Sequence, residues 1–275
     1  MLGKLLKYEF KATSRTFLPL YLVIILVAIF NGFLLNINMI EPSNYQMIGI
    51  IVLIALVIAL GVVTIVVTVQ RFYKNLLGDE GYLMFTIPVS IKSIVLSKGL
   101  VATFWAILSG IVSLLAFGII VFMQVIKAML VDSEIREIFA MINMSDITAA
   151  IKDSLPPEIY SSLGTSLWLI IAIILISYFS SIFTIYLAMA IGQMPKFTGY
   201  KVAASVIAYF VVSFLLSLVA EIIIPASMLE PIGDEIAIFT QLKNLMYYLT
   251  FISVIECALM FFGTTYILEK KLNLS

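Results

Sequence analysis

The chain has 275 residues, of which 63% are hydrophobic and 12% are charged, and its 16 acidic and 16 basic side chains leave no formal net charge. This composition lies outside the range of soluble globular domains and indicates an integral membrane protein. The sequence has no His and a single Cys, Cys257, which excludes a disulfide within one chain, a Cys/His metal site and a Ser-His triad. No G-x-x-x-x-G-K-[ST] motif occurs, so the chain carries no P-loop of its own.

Six apolar runs are each long enough to cross the roughly 30 Å hydrocarbon layer of a membrane as a helix. Helix is the expected conformation, because lipid offers unpaired backbone groups no hydrogen-bond partners. The runs lie at Phe17–Ile37, Ile48–Val69, Gly99–Val125, Gly164–Gly192, Val202–Ile224 and Leu245–Leu268. The sequence therefore predicts an all-α integral membrane protein, with residues 1–275 forming a single domain of six transmembrane helices.

The distribution of basic residues predicts the orientation of these helices. With the N-terminus inside, 12 of the 16 Lys and Arg residues fall in cytoplasmic segments. The four on the outside are Lys127, Arg136, Lys152 and Lys243. Because cytoplasmic loops of membrane proteins carry an excess of Lys and Arg, both termini are predicted to be cytoplasmic.

The N-terminal segment, residues 1–16, has the pattern of an amphipathic helix. Its basic residues, Lys4, Lys7, Lys11 and Arg15, fall on one helical face. Apolar residues occupy the other face, at Leu2, Leu5, Leu6 and Phe10. This pattern predicts an interfacial helix that lies on the membrane with its basic face toward anionic headgroups.

The connection between the second and third runs, Arg71–Lys98, reads RFYKNLLGDEGYLMFTIPVSIKSIVLSK. Asp79 can cap a short helix over residues 80–86, which Pro88 should stop, and Ser90 can cap the helix that follows. A short amphipathic helix between two spans, with acidic and aromatic side chains, suits a docking element. An ordinary solvated connection fits the same spacing, and the pattern leaves both interpretations open.

The connection Lys127–Leu163 is the longest one predicted outside the membrane. Its apolar residues have helical spacing, Ser133 and Ser145 are candidate caps, and the Pro156-Pro157 pair interrupts the pattern. We expect two short amphipathic helices. They could form a small external cap or lie on the bilayer surface.

The segment Glu221–Lys243 is half apolar yet is interrupted by Pro225, Pro231 and Gly233. That pattern predicts a re-entrant pair of short helices in the outer leaflet, since irregular backbone at this depth is tolerated where protein covers it.

Glu256 is the one ionisable residue well inside a predicted span, near the middle of the sixth. An acid at this depth must face protein or water. It could line a translocation path or a subunit contact, or it could be a neutral acid bonded to a hydroxyl of a neighbouring helix.

Three of these features occur together: the basic N-terminal helix GKLLKYEFKATSRTFLPLYL, the connection GDEGYLMFTIPVSIKSIVLSK, and a broken apolar hairpin before the sixth span. In this combination the whole chain resembles the permease subunit of an ABC-2 type (type V exporter-like) ABC transporter, of the kind common in Gram-positive bacteria. The resemblance implies that the second connection carries a coupling helix that docks on an ATPase subunit. The residues implied for docking are Gly78, Asp79, Glu80, Gly81, Tyr82, Leu83, Met84, Phe85 and Pro88. Those of the N-terminal helix near the ATPase are Lys4, Lys7, Tyr8, Phe10, Lys11 and Arg15.

The resemblance also implies a function for the chain. It would be a non-catalytic, multi-pass subunit in a bacterial plasma membrane, with no cofactor of its own, while two copies of a partner ATPase bind ATP and Mg²⁺. A second permease chain, identical or homologous, would complete the path, with membrane lipids around it and no role for nucleic acid. The scarcity of charge in the spans favours export of amphipathic or hydrophobic cargo, with cytolytic or antimicrobial peptides as the closest match.

Other functions fit parts of the same pattern. A lipid or drug exporter would need the same uncharged spans. A stand-alone secondary transporter would need paired ionisable residues or internal repeats, and the chain offers a single mid-span acid. A sensor in a peptide-resistance system would bind peptide without moving it.

Overall fold

The structure is a computed structural model, and it describes residues 2–34, 44–78, 81, 88–197, 199–225, 233 and 235–270. All regular elements in these ranges are helical, which confirms the predicted all-α class. The α-helices described are α1 (Leu2–Leu34), α2 (Asn44–Phe72), α3 (Ile91–Val131), α4 (Ser133–Met141), α5 (Met144–Ser154), α6 (Pro157–Gly192), α7 (Lys201–Ile223) and α8 (Glu235–Lys270). A π-helical turn, Tyr73–Leu77, follows α2, and a 3₁₀ turn, Pro195–Phe197, follows α6.

Six of these helices, α1, α2, α3, α6, α7 and α8, are long and apolar enough to cross a membrane. Each overlaps one of the six apolar runs, so the predicted transmembrane character is confirmed. The third is the longest, with 41 residues. At 1.5 Å per residue it is about 60 Å long, about twice the thickness of the hydrocarbon layer. A helix of this length tilts in the bilayer or continues past it.

The first helix differs from the expected arrangement of an interfacial helix followed by a separate span. Residues 2–34 form one continuous helix, with Pro19 inside it. Within it, the hydroxyls of Thr13 and Ser14 donate to the backbone carbonyls of Phe10 and Lys11, three residues earlier. Pro19 removes one backbone donor, and the helix continues through it.

The chain forms two compact units. The first consists of Met1–Glu9, Val67–Phe104 and Leu155–Ser275. In it α6 packs against both α7 and α8.

Aromatic rings of α6 form much of the core of the first unit. The Phe183 ring meets those of Tyr186 and Phe261 edge to face, with centroids 5.9 and 5.3 Å apart. Gly192 ends α6, and a Cβ at this position would lie 2.6 Å from the backbone oxygen of Lys201, so glycine permits the close turn into α7.

The second unit consists of Phe10–Val66 and Trp105–Ser154. Its core is built around Trp105 of α3, whose ring stacks on Phe17 with centroids 4.9 Å apart. The indole Nε1 donates to Thr13 Oγ1 at 2.7 Å. Tyr21 donates to the Trp105 carbonyl at 3.2 Å and shares a 2.9 Å hydrogen bond with Ser109. Hydrogen bonds of this kind join apolar helices where lipid supplies no hydrophobic driving force.

The two short helices predicted between the third and fourth spans are confirmed as α4 and α5, but the predicted caps are wrong. Asp132 caps α4, with its Oδ1 accepting from Glu134 N at 2.9 Å and Ile135 N at 3.4 Å. Ser133 is instead the first residue of that helix, and Ser145 lies inside α5. A carboxylate caps well because its charge also favours the positive end of the helix dipole. Neither helix has a buried residue.

The predicted re-entrant segment Glu221–Lys243 is described in part. Residues 226–232 and 234 lie outside the described residues. Residues 235–243 form the first turns of α8 and continue into the sixth span without a break. Residues 235–243 are thus continuous with the sixth span, and no Pro or Gly interrupts the chain from 235 until Gly263.

Candidate docking site

The docking residues implied by the resemblance fall at the junction of α2 and α3. Gly78, Gly81 and Pro88 belong to the described residues. Six others lie outside them: Asp79, Glu80, Tyr82, Leu83, Met84 and Phe85. The described part therefore consists of the two flanks of the segment and Gly81.

A tight glycine turn follows α2. Gly78 N donates to Tyr73 O at 2.9 Å, which closes the π-helical turn, and Gly81 N donates to Gly78 O at 2.8 Å. A Cβ at Gly81 would lie 2.5 Å from Leu76 O and 2.9 Å from Leu76 C. Both atoms belong to the backbone, so they cannot swing away as a flexible side chain would. Gly81 is therefore required by a close approach of two backbone segments.

The far flank begins with the predicted cap. Ser90 O accepts from Ser93 N and Ile94 N, and Ser90 Oγ accepts from Ser93 N at 3.4 Å. The two serine hydroxyls also share a 2.8 Å hydrogen bond. The expected role of Ser90 is confirmed, and Pro88, which is exposed, lies two residues before it.

The start of α1 presents the predicted basic face. Lys4, Lys7, Lys11 and Arg15 are all exposed, whereas Leu2, Leu5, Leu6 and Phe10 are partly buried. Tyr8 is 70% exposed, so its ring is free to contact a partner or a lipid headgroup.

A cluster of three charged side chains joins these elements, and we call it the Glu9 cluster: Glu9 of α1, Arg71 of α2 and Lys98 of α3. Lys98 Nζ donates to Glu9 Oε1, and Arg71 Nη1 lies 3.8 Å from Glu9 Oε2. The side chains of Lys98, Glu9 and Arg71 are 1%, 11% and 29% exposed. All three residues belong to the first unit.

The sequence pattern contains a signal for this cluster. Glu9 lies on the apolar face of α1, at helical spacing from Leu2, Leu5, Leu6 and Thr13. A carboxylate on an apolar face needs a basic partner, since burying an unpaired charge is costly. Hydropathy alone identified neither Lys98 nor Arg71 as that partner, because both lie at the edges of apolar runs.

Glu256 lies within α8, one turn from Ile252 and one turn from Met260, both of which are buried. Its own side chain is half-exposed, and it has no ion pair or hydrogen bond to another residue in the described part of the chain. The proposed bond to a neighbouring hydroxyl is therefore not present among the described residues.

Comparison with known proteins adds no relative: no family model matches the chain, and neither a curated protein nor a solved structure matches it. What the site can bind must consequently be inferred from its own residues. Within the described ranges no group of three Cys, Asp or Glu side chains could hold a metal ion. The first unit offers exposed basic and aromatic side chains, at Lys4, Lys7 and Tyr8, and the tightly built turn at Gly78 and Gly81.

Proposed function

We propose that this chain is the permease subunit of an ATP-driven exporter whose ATPase is a separate protein. The observation that carries the proposal is the Glu9 cluster, which joins the start of α1 to both flanks of the connecting segment. An element that receives movement from a motor needs a rigid attachment to the spans, and this segment has one on each side.

The proposed mechanism is mechanical. The segment between Gly78 and Pro88 docks on the ATPase, and the exposed basic face of α1 also contacts the ATPase. ATP-driven closure of two ATPases draws two such segments together and switches access across the membrane, a two-state change biased by nucleotide. One chain with six spans forms half of a pathway, so two permease chains are proposed to form the path at their interface.

The proposed cargo is amphipathic or hydrophobic, with membrane-active peptides as the best match and lipids or lipophilic drugs as alternatives. The spans carry almost no fixed charge, so a path between them is lined by aromatic, thioether and hydroxyl groups. Such a surface suits apolar cargo and does not replace the hydration shell of an ion or a sugar.

The proposal is tested at Glu80 and Tyr82. We expect the double variant Glu80→Ala/Tyr82→Ala to insert in the membrane normally and to lose most of its association with the ATPase in a pull-down. Glu158→Ala/Tyr160→Ala is a matched control, because it removes an acid and a tyrosine at the same spacing from the predicted opposite side. Equal ATPase recovery with both double variants would remove the docking assignment.

A second candidate function is a secondary transporter that works alone, and Glu256 is the observation that favours it. A half-exposed acid within a span could carry a proton or bind a cation. This candidate predicts transport driven by an ion gradient in vesicles that contain only this chain, and its loss in Glu256→Gln. No transport without the ATPase would exclude it.

A further inference from the structure

The Glu9 cluster, on which the proposed function rests, joins three helices through a single acid. Arg71 precedes the docking segment, Lys98 follows it, and the carboxylate of Glu9 contacts both. One side chain of α1 therefore bridges the two ends of a connection that lies far from it in sequence.

The backbone beside each base is fixed on α6. Phe72, next to Arg71, is buried and stacks on Tyr186 with ring centroids 4.0 Å apart. Gly99, next to Lys98, lies so close to Phe183 that a Cβ there would be 2.5 Å from the ring. The two bases are thus held by apolar packing, and Glu9 is the charged contact between them and the first turns of α1.

Stability alone is a weak reason for charges at this place. Removing two charges from water costs free energy that their attraction often fails to repay, and apolar residues of similar volume hold helices together as well or better. A buried ion pair does impose geometry, because it forms only when its partners are correctly aligned. Lys98, at 1% exposure, makes almost no contact with water.

We propose that Glu9 is a positioning residue that locks the start of α1 to both flanks of the docking segment, so that the two move as one body. The role of Glu9 in coupling rests on the proposed function. The lock itself involves only residues of this chain. Movement imposed on the docking segment would then be carried into α1 and its span.

The lock is tested on the chain alone in nanodiscs by pulsed electron spin resonance. Spin labels are placed at Lys7→Cys and Lys92→Cys, two exposed positions on α1 and α3, in a Cys257→Ser background. The parent should give one narrow distance distribution. Glu9→Gln should broaden or shift it, while Lys11→Gln, which removes an exposed charge from the same helix, should leave it unchanged.

A second variant separates positioning from folding. Glu9→Gln/Lys98→Met removes both charges and leaves no buried ammonium, so it should fold. If the Glu9–Lys98 ion pair only stabilises the fold, this variant should give the distance distribution of the parent. If the pair locks α1 to the flanks, the variant should show the same broadening as Glu9→Gln. A narrow, unshifted distribution in Glu9→Gln/Lys98→Met would overturn the proposal.

The coupling arm uses the complex with the co-purified ATPase. In the parent, ATP should leave the distance between labels at Lys7→Cys and Lys92→Cys unchanged, and likewise that between labels at Lys74→Cys and Lys92→Cys, because the locked parts move as one body. In Glu9→Gln/Lys98→Met, ATP should change the distance between the labels at positions 7 and 92 while the ATPase stays bound. Joint movement that survives in the variant would overturn the coupling role. Failure to recover any ATPase would instead count against the proposed function, and the chain-alone arm would still decide whether the lock exists.

Discussion

At the scale of single residues, Gly81 shows how backbone geometry adds to what the resemblance implies. The resemblance marks Gly81 as part of a docking surface, but its Cα is buried and faces the backbone of Leu76. Its role in the structure is therefore steric. The sequence could predict a turn near this glycine. The close approach of Gly81 to the Leu76 backbone depends on the π-helical turn Tyr73–Leu77, which no local sequence pattern predicts.

We predict that Gly81→Ala destabilises the protein, because its Cβ would overlap backbone atoms that have no room to move. Overpacking of this kind costs about 1–3 kcal/mol. Gly118→Ala is the control, since a Cβ at Gly118 of α3 meets nothing within 4 Å. Free energies of unfolding in mixed micelles should separate the two variants. Equal stability would show that the turn tolerates a methyl group.

Glu9 and Glu256 illustrate opposite outcomes for acids near apolar surfaces. Glu256 was conspicuous in the sequence because it interrupts a long apolar run, and the structure leaves it half-exposed. Glu9 was inconspicuous among neighbouring lysines, yet it is the acid that contacts buried Lys98. A count of charges along the sequence does not identify the Glu9–Lys98 pair, because the pairing depends on which helical face the acid occupies and on residues far away in sequence.

At the scale of elements, the helices were predictable and their ends were not. Apolar runs predicted all six spans, because a span needs about 20 apolar residues whatever its surroundings. The helices α1 and α8 continue beyond those runs into polar sequence. Lys, Glu and Gln are good helix formers, so the end of an apolar run does not end a helix unless Pro, Gly or a cap interrupts it.

The cap of α4 supplies a prediction at this scale. Asp132→Ala should destabilise the start of α4, because Glu134 N and Ile135 N lose their shared acceptor. Loss of such a cap costs about 1 kcal/mol, which corresponds to about fivefold faster amide exchange where the helix opens locally. Hydrogen exchange of peptides covering residues 132–142 measures the effect. Ser133→Ala should exchange like the parent, and a larger effect from Ser133→Ala would contradict the assignment of the cap.

At the scale of the whole molecule, six helices able to cross a membrane define the class of protein. The proposed function depends on what the chain binds outside the bilayer, and composition alone does not specify this. The first unit contains Met1–Glu9 and both flanks of the connecting segment, whereas the rest of the predicted N-terminal helix, from Phe10, belongs to the second unit. In the proposed function, the identity of the cargo depends on an interface between two chains, which no local pattern of a single sequence specifies.

The proposed function requires that this chain work with a separate ATPase, and the most direct test is purification of the chain from native membranes. The tagged chain should be solubilised gently, recovered by pull-down and assayed for ATP hydrolysis with and without amphipathic peptide. We predict a stoichiometric ATPase with one or two domains, or roughly 200–300 residues, whose activity changes when peptide is added. A single species that neither binds nor hydrolyses nucleotide would contradict the account.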